Sequence, residues 1–152
     1  MIIALDSPKA PDVLALLEEH LREMHATSPA ESVHALSPDA LVHPSISFWS
    51  ARDDDGALLG VGALKQHDAI MAELKSMRTS QTARGRGVAS AVLATVIAEC
   101  RDRGIKELNL ETGTEDYFAA ARALYVKHGF VARGPFADYA LDPNSAFFTI
   151  AL

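Results

Sequence analysis

The sequence predicts a mixed α/β domain, and three observations carry that reading. Apolar residues recur at helical spacing in three segments, short strand-like runs separate those segments, and a glycine turn, Arg84-Gly85-Arg86-Gly87, leads directly into the central helical segment. The element order is β-α-β-β-β-α-β-α-β-β, which predicts a parallel strand pair around the central helix.

Met1 to Leu5 reads as a first strand. Ser7-Pro8 with Asp12 announces a helix that carries Val13, Leu16, Leu17, Leu21 and Met24 on one face, the face expected to enter the core. His25 to His43 is polar and irregular, with prolines at 29 and 38, and reads as a loop with room for a short helix after Ser37-Pro38. Ile46 to Arg52 and Leu58 to Leu64 are strand-like and flank Asp53-Asp54-Asp55-Gly56, a hairpin turn. Ala72 to Thr79 is a further strand. After the glycine turn, Val88, Val92, Leu93, Val96, Ile97 and Cys100 keep helical spacing until Gly104 stops it. Ile105 to Thr112 forms the next strand, Tyr117 to His128 a helix through Ala121, Leu124 and Tyr125, and Gly129 ends it. Val131 starts a short strand, and Ala146 to Leu152 is the last, after the turn Asp142-Pro143-Asn144-Ser145.

A chain of 152 residues is long enough to bury a core without disulfides, and residues 1–152 read as one domain. Its 49% hydrophobic and 22% charged residues are the balance of a soluble globular protein. No apolar run approaches the roughly 20 residues that span a bilayer. The start Met1 to Asp6 lacks a basic stretch and a cleavage site, so it reads as a strand rather than a signal peptide, and one cysteine, Cys100, favours the cytoplasm. The net charge of −6 argues against a nucleic-acid or anionic-membrane partner. Locally the balance reverses: Leu74 to Ala98 holds no acidic residue, but it holds Lys75, Arg78, Arg84 and Arg86, a basic island suited to a small anion.

A glycine turn at a helix N-terminus is a place to hold phosphate, because small residues let backbone N–H groups approach an anion at the positive end of the helix dipole. The turn is not a Walker A loop, since no Gly-Lys-Ser/Thr follows, and it lacks the third glycine and the later acidic residue of a dinucleotide fingerprint. Two glycines alone also fit a purely structural turn. Metal chemistry finds no support: none of the six histidines forms His-Glu-x-x-His, and His20 and His25, five apart, point to different sides of a helix. Cys100 sits at an apolar helix position and reads as an inert core thiol.

The spacing Arg84-x-x-Gly87-x-Ala89 resembles the Arg/Gln-x-x-Gly-x-Gly/Ala signature of the GNAT superfamily of acyl-CoA-dependent N-acetyltransferases. Upstream, Glu73-Leu74-Lys75-Ser76-Met77-Arg78-Thr79 looks like the fourth strand of that fold, and Leu124-Tyr125-Val126-Lys127-His128-Gly129-Phe130 resembles its Leu-Tyr-x-x-x-Gly-Phe segment. The resemblance covers Phe48 to Phe130, and the element order extends it to the whole chain. It implies the GNAT α/β (α+β) fold, a mixed central sheet of about six to seven strands with helices on both faces.

It also implies acetyl-CoA as co-substrate, without a metal. Backbone N–H groups of Arg84, Gly85, Arg86, Gly87, Val88, Ala89 and Ser90 would hold the coenzyme A pyrophosphate, although the Arg86 side chain also reads as simply solvated. The strand edge at Met77, Arg78 and Thr79 would pair with the pantetheine arm, with a backbone N–H near Met77 as oxyanion donor. Tyr125 matches the general acid that protonates the leaving sulfur; its alternative is a core tyrosine. Glu73 is the first candidate for a base, directly or through water, its alternative being a solvent-facing strand residue, and Glu111 is the second. Glu23, Glu31 and His34 belong to the helix and loop that cover the acceptor site in relatives and read as surface residues. One departure stands out, because Phe118 occupies the position where many relatives place an asparagine that contacts the coenzyme.

The implied function is transfer of acetyl to a primary amine of a small molecule by direct attack; the alternatives are a peptide or protein amine, or a non-catalytic acyl-CoA sensor. The aromatics Phe48, Trp49, Phe136, Tyr139, Phe147 and Phe148 would line an acceptor pocket or a dimer seam, although alternation along strands puts about half of them in the core by default. A homodimer follows only from the resemblance.

Overall fold

The computed structural model describes residues 1–152. The chain builds one seven-stranded sheet from β1 (Ile2–Leu5), β2 (Ile46–Arg52), β3 (Leu58–Gln66), β4 (Met71–Thr79), β5 (Glu107–Gly113), β6 (Val131–Arg133) and β7 (Ser145–Ala151), in the order β1-β2-β3-β4-β5-β7-β6. Only β4 and β5 run parallel, as the crossover through the central helix requires. The helices are α1 (Pro11–Thr27), α2 (Val88–Asp102) and α3 (Ala119–Lys127). None is long and apolar enough to cross a membrane.

The sheet separates two apolar clusters. Phe48 and Trp49 are neighbours in β2 and so point to opposite faces. Phe48, Val61 and Ala63 meet Val13, Leu16 and Leu17 of α1 on one side. Trp49, Leu74, Leu108 and Leu110 meet the Val88, Val92, Leu93, Val96, Ile97 and Cys100 stripe of α2 and Tyr125 of α3 on the other. Helices therefore cover both faces, and the Cys100 thiol lies inside, its pKa raised to about 11 by burial.

Differences from the sequence reading cluster at helix ends. α1 starts at Pro11 rather than beside Ser7, because proline at the first helical position forgoes an N–H that the helix would leave unused. It continues to Thr27, and the segment to His43 holds two single 3₁₀ turns, Ala30–Ser32 and Ala40–Val42. Of its expected core face, Leu21 and Met24 are only half-buried. The third helical segment divides into a 3₁₀ turn at Asp116–Phe118 and α3.

Two irregularities in β4 prepare the site. Its ladder with β3 shifts register between Val61 and Ala63, so Ser76 and Met77 have no paired partner and bulge opposite Gly62. Ser76 takes the left-handed backbone conformation, φ 56°. Non-glycine residues pay for that conformation and adopt it where the surrounding structure imposes it. The parallel pairing with β5 covers only Met71 to Glu73 against Glu107 to Asn109, after which the strands part.

Gly62 makes the bulge sterically feasible. A Cβ there would lie 2.6 Å from Val92 Cγ1 and 2.8 Å from Met77 Sδ. Gly62→Ala is expected to destabilise the fold by about 1–3 kcal/mol through overpacking. Equilibrium unfolding in urea measures it, and an unchanged midpoint would mean that α2 and the bulge give way freely.

Candidate active site

Where β4 and β5 part, two cavities open. The larger, about 450 Å³, runs along the β4 edge at Met77, Arg78 and Thr79 to the turn at Arg84, Gly85, Gly87, Val88, Ala89 and Ser90. Gly85 and Gly87 have φ of 78° and 79°, a conformation open to glycine and strained for other residues, and Gly87 caps α2. The first turn of α2 holds no acidic residue, so its free N–H groups face this groove unopposed. Arg86 does not line the groove; its guanidinium lies 3.4 Å from Asp53.

The smaller cavity, about 90 Å³, lies within the wedge itself, between Glu73 to Met77 of β4 and Leu110 to Thr112 of β5, under His20 and Met24 of α1. His34, Ala35 and Tyr139 close it from the loops. Both cavities touch Tyr125, which the Leu-Tyr-x-x-x-Gly-Phe spacing singled out. Its ring packs against Phe130 and Phe148, so it is at once a core tyrosine and a cavity-lining one. Burial, assisted by Glu111, raises its pKa above the ordinary phenol value and keeps it protonated.

Glu73 is neither free nor solvent-facing. It is 2% exposed. Its Oε1 lies 2.9 Å from His67 Nε2, and its Oε2 accepts from Lys75 Nζ at 3.1 Å and from the Tyr139 hydroxyl at 2.5 Å. Lys75 donates in addition to Tyr139 Oη and to the His34 carbonyl, which uses all three of its ammonium protons. Burial and then Glu73 raise the pKa of the Tyr139 phenol. Glu111, in contrast, presents a carboxyl to the cavity, and burial pushes it up to about 7 while Lys75 pulls the other way. A carboxyl that titrates near neutrality beside a protonated phenol can take a proton at one end of a reaction while the phenol gives one at the other.

Arg78, placed on the strand edge by its sequence, turns inward. Its guanidinium meets Glu19 at 2.8 Å, Glu23 at 2.6 Å and the Tyr117 hydroxyl at 2.8 Å. Burial alone would lower its pKa, but Tyr117, Glu19 and Glu23 outweigh it and raise it. Glu23 is thus a partner of Arg78 rather than a surface residue, and Tyr117 ties the 3₁₀ turn after β5 to β4 across the opening. Phe118, in the position of the expected asparagine, is buried edge-on against Tyr117 and lines both cavities. Sequence reasoning passed over His67, which a strand-end histidine near Glu73 could have suggested, and His20, weighed only as a metal ligand.

The raised pKa of Glu111 has a consequence for stability. Its ordinary value is 4.5 and its folded value about 7, so the fold prefers the neutral carboxyl. That contribution is fully present below about pH 4.5 and is lost as pH rises through about 7. Glu111→Gln cannot ionise and is expected to be more stable than the parent at alkaline pH, with the difference closing in mild acid. Urea unfolding at both conditions measures this, and a difference independent of pH would refute it.

Comparison with known proteins agrees with this geometry. The model of the Acetyltransferase (GNAT) family matches residues 13–130. The chain is 47% identical to the uncharacterized N-acetyltransferase YsnE of Bacillus subtilis, over 98% of each chain. It is 40% identical to an IAA acetyltransferase of Azospirillum brasilense, over 95% of this chain and 94% of the relative. Among solved structures, a putative acyl-CoA N-acyltransferase from Klebsiella pneumoniae superposes with a TM-score of 0.81 at 26% identity, covering 99% of this chain and 97% of that one. With the family's fold around a parted β4–β5 pair and its signature on the groove wall, the chain belongs to the Acetyltransferase (GNAT) family of acetyltransferases.

Proposed function

We propose that the chain transfers the acetyl group of acetyl-CoA to a primary amine of a small molecule by direct attack. The observation that carries this reading is that a groove with an anion-binding helix end and a separate small cavity meet at Tyr125. The groove accounts for the donor. Backbone N–H groups of Gly85, Gly87, Val88, Ala89 and Ser90 hold the pyrophosphate, since those of Arg84 and Arg86 already donate to the Gln81 and Ala83 carbonyls, and the edge of β4 at Met77 to Thr79, left unpaired by β5, takes the amide groups of the pantetheine arm as an added strand would. Arg86 stands outside the groove, its guanidinium beside Asp53 and its N–H donating to the Ala83 carbonyl at 3.3 Å. The small cavity accounts for the acceptor, and the relative named for IAA supports a small molecule there. The chain acts in the cytoplasm as one domain, with pairing of two copies carried over from the family.

The amine nitrogen attacks the thioester carbonyl carbon, forming the C–N bond. The Glu111 carboxylate takes the proton that the nitrogen sheds, the C–S bond breaks, and the Tyr125 phenol gives its proton to the sulfur. The products are the amide and the free thiol, and the proton held by Glu111 passes to the Tyr125 phenolate, directly or through solvent, which restores both groups. Glu111 has this role in preference to Glu73, whose oxygens are occupied by His67, Lys75 and Tyr139. Glu73 is then a positioning residue that fixes Lys75 and Tyr139 on the cavity wall.

Calorimetry should detect acetyl-CoA binding, and an amine panel including peptides should release free thiol with small amines. Absence of binding defeats the reading, binding without turnover favours a sensor, and turnover with peptides alone favours a peptide acceptor. Tyr125→Phe should lower kcat by about 10²-fold or more with little change in acetyl-CoA affinity; an unchanged rate removes Tyr125 from the chemistry. The rate of the parent should rise with pH through about 7 as Glu111 loses its proton. Glu111→Gln should lack that limb, and a limb that persists reassigns the base.

A further inference from the structure

Accepting that reading, the bond to nitrogen must form where the two cavities join. Five residues line both: His20, Met77, Phe118, Ala121 and Tyr125. Three of them are apolar, so the side-chain polar atoms at the junction belong to Tyr125 and His20 alone. Tyr125 is committed to the sulfur. A tetrahedral intermediate also places negative charge on the former carbonyl oxygen, and beside the backbone N–H expected near Met77 the three apolar side chains offer that charge nothing.

We propose that His20 is a catalytic residue whose ring N–H donates a hydrogen bond to the thioester carbonyl oxygen and to the oxyanion it becomes. His20 stands on α1, across the junction from Tyr125 on α3. Neither ring nitrogen bonds to the protein, and Nδ1 is sealed away from solvent without a partner. A sealed bare acceptor costs less than a sealed orphan N–H, so the proton belongs on Nε2, the ring nitrogen that is not sealed, on a side chain lining both cavities.

The ring is neutral in this setting. Burial and the Arg78 guanidinium push its pKa down to about 4, against the weaker pull of Glu19 and Glu23. Glu73, Lys75, Glu111 and Tyr125 face it across the cavity. A neutral imidazole N–H is a suitable donor to a developing oxyanion, because it neither loses its proton to the intermediate nor requires a buried charge in the resting state. His20 gains and loses no proton in the reaction. It adds a side-chain donor to the backbone N–H expected from the bulge at Met77.

The test uses acetyl-CoA labelled with ¹³C at the carbonyl and isotope-edited infrared spectroscopy on the full chain. The carbonyl stretch of the bound thioester should lie below its solution value in the parent and return toward it in His20→Phe, which keeps the ring and removes the donor. His20→Met does the same should the phenylalanine variant not fold. Either variant should lose kcat by about 10²-fold or more while calorimetric affinity for acetyl-CoA is kept. His20→Gln, which restores a neutral N–H, should recover part of both signals. A parent-like stretch and rate in the apolar variants overturns the proposal. Failure of the parent to bind acetyl-CoA defeats the donor assignment instead, and binding with a solution-like stretch in the parent defeats only the role of His20.

Discussion

The molecule depends on the place where two parallel strands stop pairing. β4 and β5 share three residue pairs and then part, although β4 runs on to Thr79 and β5 to Gly113. Parallel strands in the middle of a sheet ordinarily pair along their length, and an interior edge left open is a cost in unmade hydrogen bonds. The bulge at Ser76 and Met77 increases the local twist of β4, and the antiparallel partner β7 holds β5 throughout, so the two strands leave one another at an angle. The wedge provides a free strand edge, a cavity at its apex, and a helix N-terminus at its mouth.

Polar groups hold the wedge open from within. At the apex, the cluster of Glu73, Lys75, His67 and Tyr139 satisfies a carboxylate and an ammonium that burial would otherwise penalise. Farther out, Arg78 gathers Glu19 and Glu23 of α1 and Tyr117 beyond β5 around one guanidinium. Both networks wall the cavities, and Glu111, Tyr125 and His20 line the cavities outside those pairings.

Local signals were legible and distant pairings were not. The α2 stripe from Val88 to Cys100, the hairpin turn at Asp53 to Gly56 and the glycine turn at Arg84 to Gly87 each depend on neighbours within a few residues, and the chain shows them as its pattern indicated. Tyr125 was found because its signature is also local. Glu73 read as a base or a solvated strand residue because its partners come from Tyr139, 66 residues away, and from Lys75 and His67, whose side chains a strand pattern does not locate. Arg78 read as one charge of a basic island suited to a small anion, but its guanidinium is taken by Glu19 and Glu23 of α1, more than 50 residues away in sequence. His20 shows the same limit: its setting is made by β4, α3 and the turn before it, which no window around residue 20 contains.

The junction between the cavities bears on the donor as well as the acceptor. Phe118, Met77 and Ala121 wall it, and the space beyond is the smaller cavity of about 90 Å³. If the donor lies in the groove as proposed, a thioester carrying a longer chain could extend only into that smaller cavity, the room proposed for the amine. Acyl-chain selection and amine admission would then be a single steric property: enlarging that chamber relaxes both together, and a long-chain thioester would act there as a plug against its own co-substrate.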